Sequence, residues 1–136
     1  MRDLKKDQAE VRLRDVLRAG ADSAKSGPLI KVCGLTDLEN ALMVSRLCVD
    51  MLGFIFHKQS PRNVSPSVPA MLTPPGVRKV GVFVRQSPEE TARIMARGRL
   101  DLAQLHGGQD AEFCKRVGAE RVIRVFWPER HAGASD

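Results

Sequence analysis

Tyrosine is absent from this chain, and its aromatic rings are one tryptophan and five phenylalanines, 4% of the sequence. Proteins that hold single-stranded nucleic acid stack bases on rows of exposed rings in a basic groove. That supply is missing here. The Lys and Arg residues exceed the acids by six, yet they are scattered among acids and form no dense run. The charge therefore reads as a solvated basic surface, attractive to an anionic metabolite, with no nucleic-acid partner. No apolar run approaches the roughly 20 residues of a membrane span. The opening "MRDLKKDQAE" has no apolar centre and is not a secretory signal. A cytoplasmic protein without a membrane partner is expected. Cysteines stand at 33, 48 and 114. Their spacing fits neither a zinc knuckle nor a redox pair, and an odd count argues against a disulfide framework. Cys48 and Cys114 fall in helical patterns and are expected as small buried apolar groups.

What is present is an ordinary globular mix, 43% hydrophobic and 28% charged over 136 residues, enough for one domain with a core. Residues 1–28 are charged and read as an N-terminal extension ending in the linker "SAKSGP". From residue 29 a rhythm begins. β-rich runs occur at 29–33, 51–56, 78–84, 101–106 and 121–127. Helical patterns lie between them at about 37–48, 88–97 and 109–117, with a weaker one near 66–72. Strands alternating with helices at this period predict β/α units and a parallel sheet. The runs are mostly apolar rather than alternating, as for strands covered on both faces.

Helix starts agree. Thr36 and Glu39 form a capping-box pattern, and "SPEE" offers Ser87 as N-cap, Pro88 at the first helical position and Glu90. Ser65–Pro66 also starts a helix, but Pro69 limits it to one or two turns. Five units fit a doubly wound sheet, and they also fit part of an eight-fold barrel, which normally needs about 250 residues. Length favours the first. Both architectures put chemistry at the C-terminal ends of strands. A cofactor site of the G-x-G-x-x-G kind is absent from "CGLTD".

The strand ends carry four candidates. Cys33 ends the first strand ahead of a helix N-terminus, where unpaired N–H groups favour a thiolate able to act as a base. Its plainer reading is a structural thiol. Arg62 lies in a loop stiffened by Pro61 and could hold a carboxylate through two parallel hydrogen bonds; the plainer reading is an exposed loop arginine. Gln104 and His106 end the fourth strand, where the histidine could bind substrate or move a proton, or only close the sheet.

The fragments "KVCGLT", "LGFIF", "SPRNVSP", "VGVFV" and "LDLAQLHG", in this order and spacing, resemble the phosphoribosylanthranilate isomerase family of tryptophan biosynthesis over about residues 30–127. The resemblance implies a (β/α)8 TIM barrel and a cofactor-free, metal-free Amadori rearrangement. A phosphorylated small molecule, N-(5-phosphoribosyl)anthranilate, would become 1-(2-carboxyphenylamino)-1-deoxyribulose 5-phosphate. It further implies Cys33 as catalytic base, Arg62 as the carboxylate clamp, and Gln104 and His106 as pocket residues. The family's general acid is an aspartate on a sixth strand, and its phosphate grip follows strands seven and eight. The expectation is thus an incomplete barrel of about five strands at 29–127, a disordered tail at 128–136, and weak or no activity alone. Such a segment would have an open edge, to be met by self-association or by a C-terminal half-barrel. A non-catalytic assembly module is the second reading.

Overall fold

A computed structural model describes residues 27–128. The expected extension at 1–28 and tail at 128–136 thus lie almost wholly outside the described residues. The described chain runs β1 (Lys31–Cys33), α1 (Leu38–Ser45), β2 (Met51–Ile55), α2 (Ser67–Ala70), β3 (Arg78–Phe83), α3 (Pro88–Gly98), β4 (Leu102–Leu105), α4 (Ala111–Val117) and β5 (Val122–Arg124), with a 3₁₀ turn before β5. All five strands are parallel, in the order β1-β2-β3-β4-β5. A doubly wound sheet reverses direction within its strand order and carries helices on both faces. Here each new strand adds to the same edge. The main core, with Leu52, Phe54, Phe83, Ala103 and Leu105, also takes Ala41 of α1 and Met95 of α3. The opposite sheet face has its own small cluster of Met51, Val80 and Leu102. This is barrel order, and β1 and β5 are not paired with each other.

Local chemistry sets the ends of the elements. Ser87 caps α3, its Oγ accepting from Glu90 N at 3.1 Å, with Pro88 in the first turn. At α1 the cap is Asp37, not Thr36: Asp37 Oδ1 accepts from Asn40 N at 2.8 Å. A carboxylate is the stronger acceptor for a free N–H, and it moves the helix start one residue on. The helix also ends early, at Ser45, so Cys48 lies beyond it and is exposed rather than buried. Cys114 remains in α4, half-buried. α2 is the single turn that Pro69 allows.

Two matched devices hold the sheet. At the N-terminal ends, Ile30 N donates to Asp50 Oδ2 at 2.7 Å while Asp50 N donates to Ile30 O at 2.9 Å. Lys79 N and Asp101 Oδ2 repeat this at 2.7 Å, with Asp101 N returning to Lys79 O at 2.9 Å. At the C-terminal ends, Gln86 Nε2 donates to Phe56 O, and Gln109 Nε2 donates to Val84 O at 3.2 Å. Each glutamine's Oε1 accepts from backbone N–H groups of its own loop. The tip loops are therefore tied to the sheet that supports them.

Candidate active site

β1 delivers Cys33 to the top edge of the sheet, where it is exposed. Its partner in register on β2 is Gly53. The backbone then turns through Gly34 at φ 84°, a left-handed conformation that favours glycine. Gly34 N and Leu35 N both donate to Gly53 O, at 3.0 and 3.2 Å. The turn after the thiol is thus pinned to β2.

Arg62 sits in the loop after β2. Asn63 bridges to Ile55, and Val64 N donates to Ile55 O at 3.0 Å, folding the loop back along its own strand. Arg62 N donates to Ser60 Oγ at 3.2 Å. The arginine side chain lies over Gly34: a Cβ placed there would come within 2.8 Å of Cδ and 3.0 Å of Nη1. The loop carries its guanidinium to the residue next to Cys33. Spacing alone could not distinguish this from an arginine pointing to solvent.

The other two candidates form a second group. Gln104 pairs in register with Val82 and Ile123. Strand alternation puts it on the same face as Leu102, hence on the face of Val80, Gly53 and Cys33. His106 follows one alternation later, its N donating to Phe83 O at 2.8 Å. The His106 ring meets Trp127 edge-on, with centroids 5.2 Å apart and planes at 78°. Gln104 Oε1 and His106 Nδ1 are buried without a hydrogen-bond partner. Buried polar atoms are rarely left so, and both can serve a bound ligand. The sheet thus carries a thiol and guanidinium at β1–β2 and an amide, imidazole and indole at β4–β5, with β3 between them.

Between the tips of β2 and β3 a groove of about 290 Å³ is lined by His57, Lys58, Gln59, Arg85, Gln86 and Glu90. Lys58 and Arg85 bring positive charge to this groove, beside the carboxylate of Glu90. Among the described residues no group of three or more His, Cys, Asp or Glu side chains could hold a metal ion, and no helix is long and apolar enough to cross a membrane.

Sequential parallel β/α units with reactive side chains at the C-terminal strand ends define a (β/α)-barrel protein of the kind whose chemistry lies on that face. The family model for N-(5'-phosphoribosyl)anthranilate (PRA) isomerase matches residues 30–136, and the chain belongs to that family. It is 54% identical over 103 residues to the N-(5'-phosphoribosyl)anthranilate isomerase of Maridesulfovibrio salexigens, covering 76% of this chain and 50% of that protein. The phosphoribosyl anthranilate isomerase structure from Thermus thermophilus superposes with a TM-score of 0.67 at 39% identity, over 73% of this chain and 52% of that one. Another isomerase, solved in complex with reduced 1-(o-carboxyphenylamino)-1-deoxyribulose 5-phosphate, gives 0.68 at 33% identity, over 79% of this chain and 59% of that one. The chain spans about half the length of the curated relatives it matches.

The glycines at 34 and 53 were not singled out as site residues by sequence reasoning. A glycine inside an apolar strand run signals close approach of another group. "LGFIF" beside "VCGLT" carried that signal.

Proposed function

We propose that this chain supplies the base and carboxylate clamp of a phosphoribosylanthranilate isomerase. The observation that carries the reading is the approach of the Arg62 side chain to Gly34, beside the exposed Cys33. A substrate carboxylate held by the guanidinium through two hydrogen bonds would place its sugar carbons over the thiol. Opening of the ribose ring, with a proton delivered to the ring oxygen, yields a Schiff base. Cys33 as thiolate then removes the proton from sugar C2, and the resulting enolamine tautomerises to the aminoketose. No cofactor enters this sequence, since no electrons leave the substrate. Gln104 and His106, whose Oε1 and Nδ1 lack a hydrogen-bond partner, would bind the sugar hydroxyls. The substrate in this reading is a small phosphorylated molecule, in keeping with a biosynthetic enzyme that works in the cytoplasm.

The proton donor and the phosphate grip belong, in this reading, to strands beyond β5. The partner that fits is a segment of three further β/α units of the same family. Three strands added to the five complete the eight of a barrel, whereas a second copy would bring ten. The edges suit such a partner. Ile30 before β1, Leu42 and Met43 on α1, Leu47 in the loop after α1, and Phe126 after β5 are exposed. Met71 after α2 apart, the large exposed apolar groups of the described residues lie toward the two ends of the strand order, and such groupings mark surfaces made for contact. The test is growth without tryptophan of a bacterium lacking the isomerase, carrying residues 1–136 together with the C-terminal half of the M. salexigens relative. Growth that is lost with Cys33→Ser and with Arg62→Ala supports the reading. Growth retained in both variants would refute it.

A further inference from the structure

We propose that Gly53 is a positioning residue of this site: its missing side chain is the seat of the Cys33 thiol. The inference rests on the reading of Cys33 given above. Adjacent parallel strands lie about 4.8 Å apart, and register partners project side chains from the same face. At the Cys33–Gly53 pair only one side chain is present. A Cβ built on Gly53 would stand 2.6 Å from Cys33 Sγ, 3.0 Å from its Cα and 3.1 Å from its Cβ. The thiol leans across its neighbour's backbone into the space that any other residue would fill.

Gly81 shows that this is no general property of glycines in the sheet. A Cβ there would meet Leu100 Cδ1 at 2.7 Å and the Phe83 ring at 2.7 and 2.9 Å. Both belong to the main core on the helix side. Gly81 makes room for packing, Gly53 for the reactive sulfur. Gly53 O also accepts both hydrogen bonds of the turn that follows Cys33, so one residue leaves room for the thiol and pins the backbone after it. A methyl at position 53 would turn the sulfur aside and cover one of its approaches. The atom it meets first is the end of a rotatable side chain, so much of the effect falls on the thiol's placement.

The experiment is timed iodoacetamide alkylation of the 136-residue chain with mass mapping, using Cys48 as internal reference. In Gly53→Ala the Cys33:Cys48 labelling ratio should fall about threefold or more, because a crowded, desolvated thiol reacts more slowly. In Gly81→Ala it should stay unchanged. A ratio unchanged in folded Gly53→Ala, or lowered equally in Gly81→Ala, overturns the proposal. Thermal midpoints provide the second measurement. The loss caused by Gly53→Ala should be smaller in a Cys33→Ala background, since the closest clash is then gone. Equal losses in both backgrounds overturn the proposal. Should Gly53→Ala fail to fold, folding of the Cys33→Ala/Gly53→Ala protein supports the seat, and its failure refutes it. The outcome is separable from the catalytic reading. Activity surviving Cys33→Ser removes the base while leaving the seat standing, and an unchanged ratio does the reverse.

Discussion

The three thiols in this chain meet two kinds of surroundings. Cys33 and Cys48 are exposed, whereas Cys114 is half-buried in α4. Burial pushes the Cys114 thiol above its ordinary range, with Asp110 adding to the rise and Arg124 opposing it. The thiolate is the reacting form, so Cys114 should be alkylated last near neutral pH, and mass mapping over time checks the order. Labelling of Cys114 as fast as Cys48 in folded protein would contradict the burial. Arg62 makes the sharper claim. In a completed barrel Arg62→Ala should raise KM on the order of tenfold or more, the usual effect of losing a charge-assisted hydrogen bond to a carboxylate. Unchanged steady-state kinetics would show that the guanidinium touches no substrate. Arg62 was legible in the sequence only through its place in the "SPR" fragment. What spacing could not convey is the bridge between Asn63 and Ile55 that turns the loop back over Gly34.

At the scale of elements, Ser87 is a cap that can be tested alone. Its hydroxyl serves Glu90 N at the start of α3, so Ser87→Ala should cost about 1 kcal/mol, read as a lower urea midpoint with an unchanged slope. Lys79 is the less expected part. It is 5% exposed, and its Nζ donates to Pro69 O and Leu72 O, each at 2.8 Å, and to Gly98 O at 3.5 Å. One ammonium thus joins the ends of α2 and α3, where carbonyls lack helical partners. Desolvation by burial lowers its pKa, against the pull of Asp101 and with a smaller push from Arg99. Between the lowered folded value and the unfolded one, near 10.5, the unfolded chain binds more protons. Stability contributed by this group must then rise with pH through that window. Urea midpoints of wild type and Lys79→Met at pH 8 and pH 10 isolate it. The wild type should gain relative to the variant at the higher pH, and a relative loss would reverse the assignment. The apolar runs showed where the strands lie. The cap at Ser87 was equally legible, because serine, proline and glutamate each have a local preference there. Lys79 and the Asp50 and Asp101 ties were not, since each joins residues between 7 and 22 positions apart and leaves no local pattern.

For the whole molecule, chain length pointed to a doubly wound sheet while the fragments resembling the isomerases pointed to a barrel, and strand order decides for the barrel. A run of β/α units looks alike in both architectures, because each unit's hydrophobic pattern records only that its strand and helix pack together. The order of strands depends on which edge each unit joins, a long-range choice that no single unit carries. The same reasoning bears on activity. The five strands and their loops bring Cys33, Arg62, Gln104 and His106, the proposed base, clamp and pocket residues, to the C-terminal end of the sheet. The rearrangement also needs a proton delivered to the ring oxygen, and general acid catalysis typically contributes about 10²–10⁴-fold. It needs the phosphate held as well, since binding energy far from the reacting carbons positions them. A polypeptide of these 136 residues alone should therefore support little or no growth of an isomerase-deficient bacterium without tryptophan. Co-expression with a C-terminal half from a relative should restore growth, provided the apolar edges at Ile30, Leu42, Met43 and Phe126 are left intact. Leu42→Glu with Met43→Glu should abolish the rescue while the chain itself stays folded, because both side chains already face solvent. Robust growth with the 136 residues alone would mean that a proton donor lies within them or in a second copy, and the eight-strand account would fall.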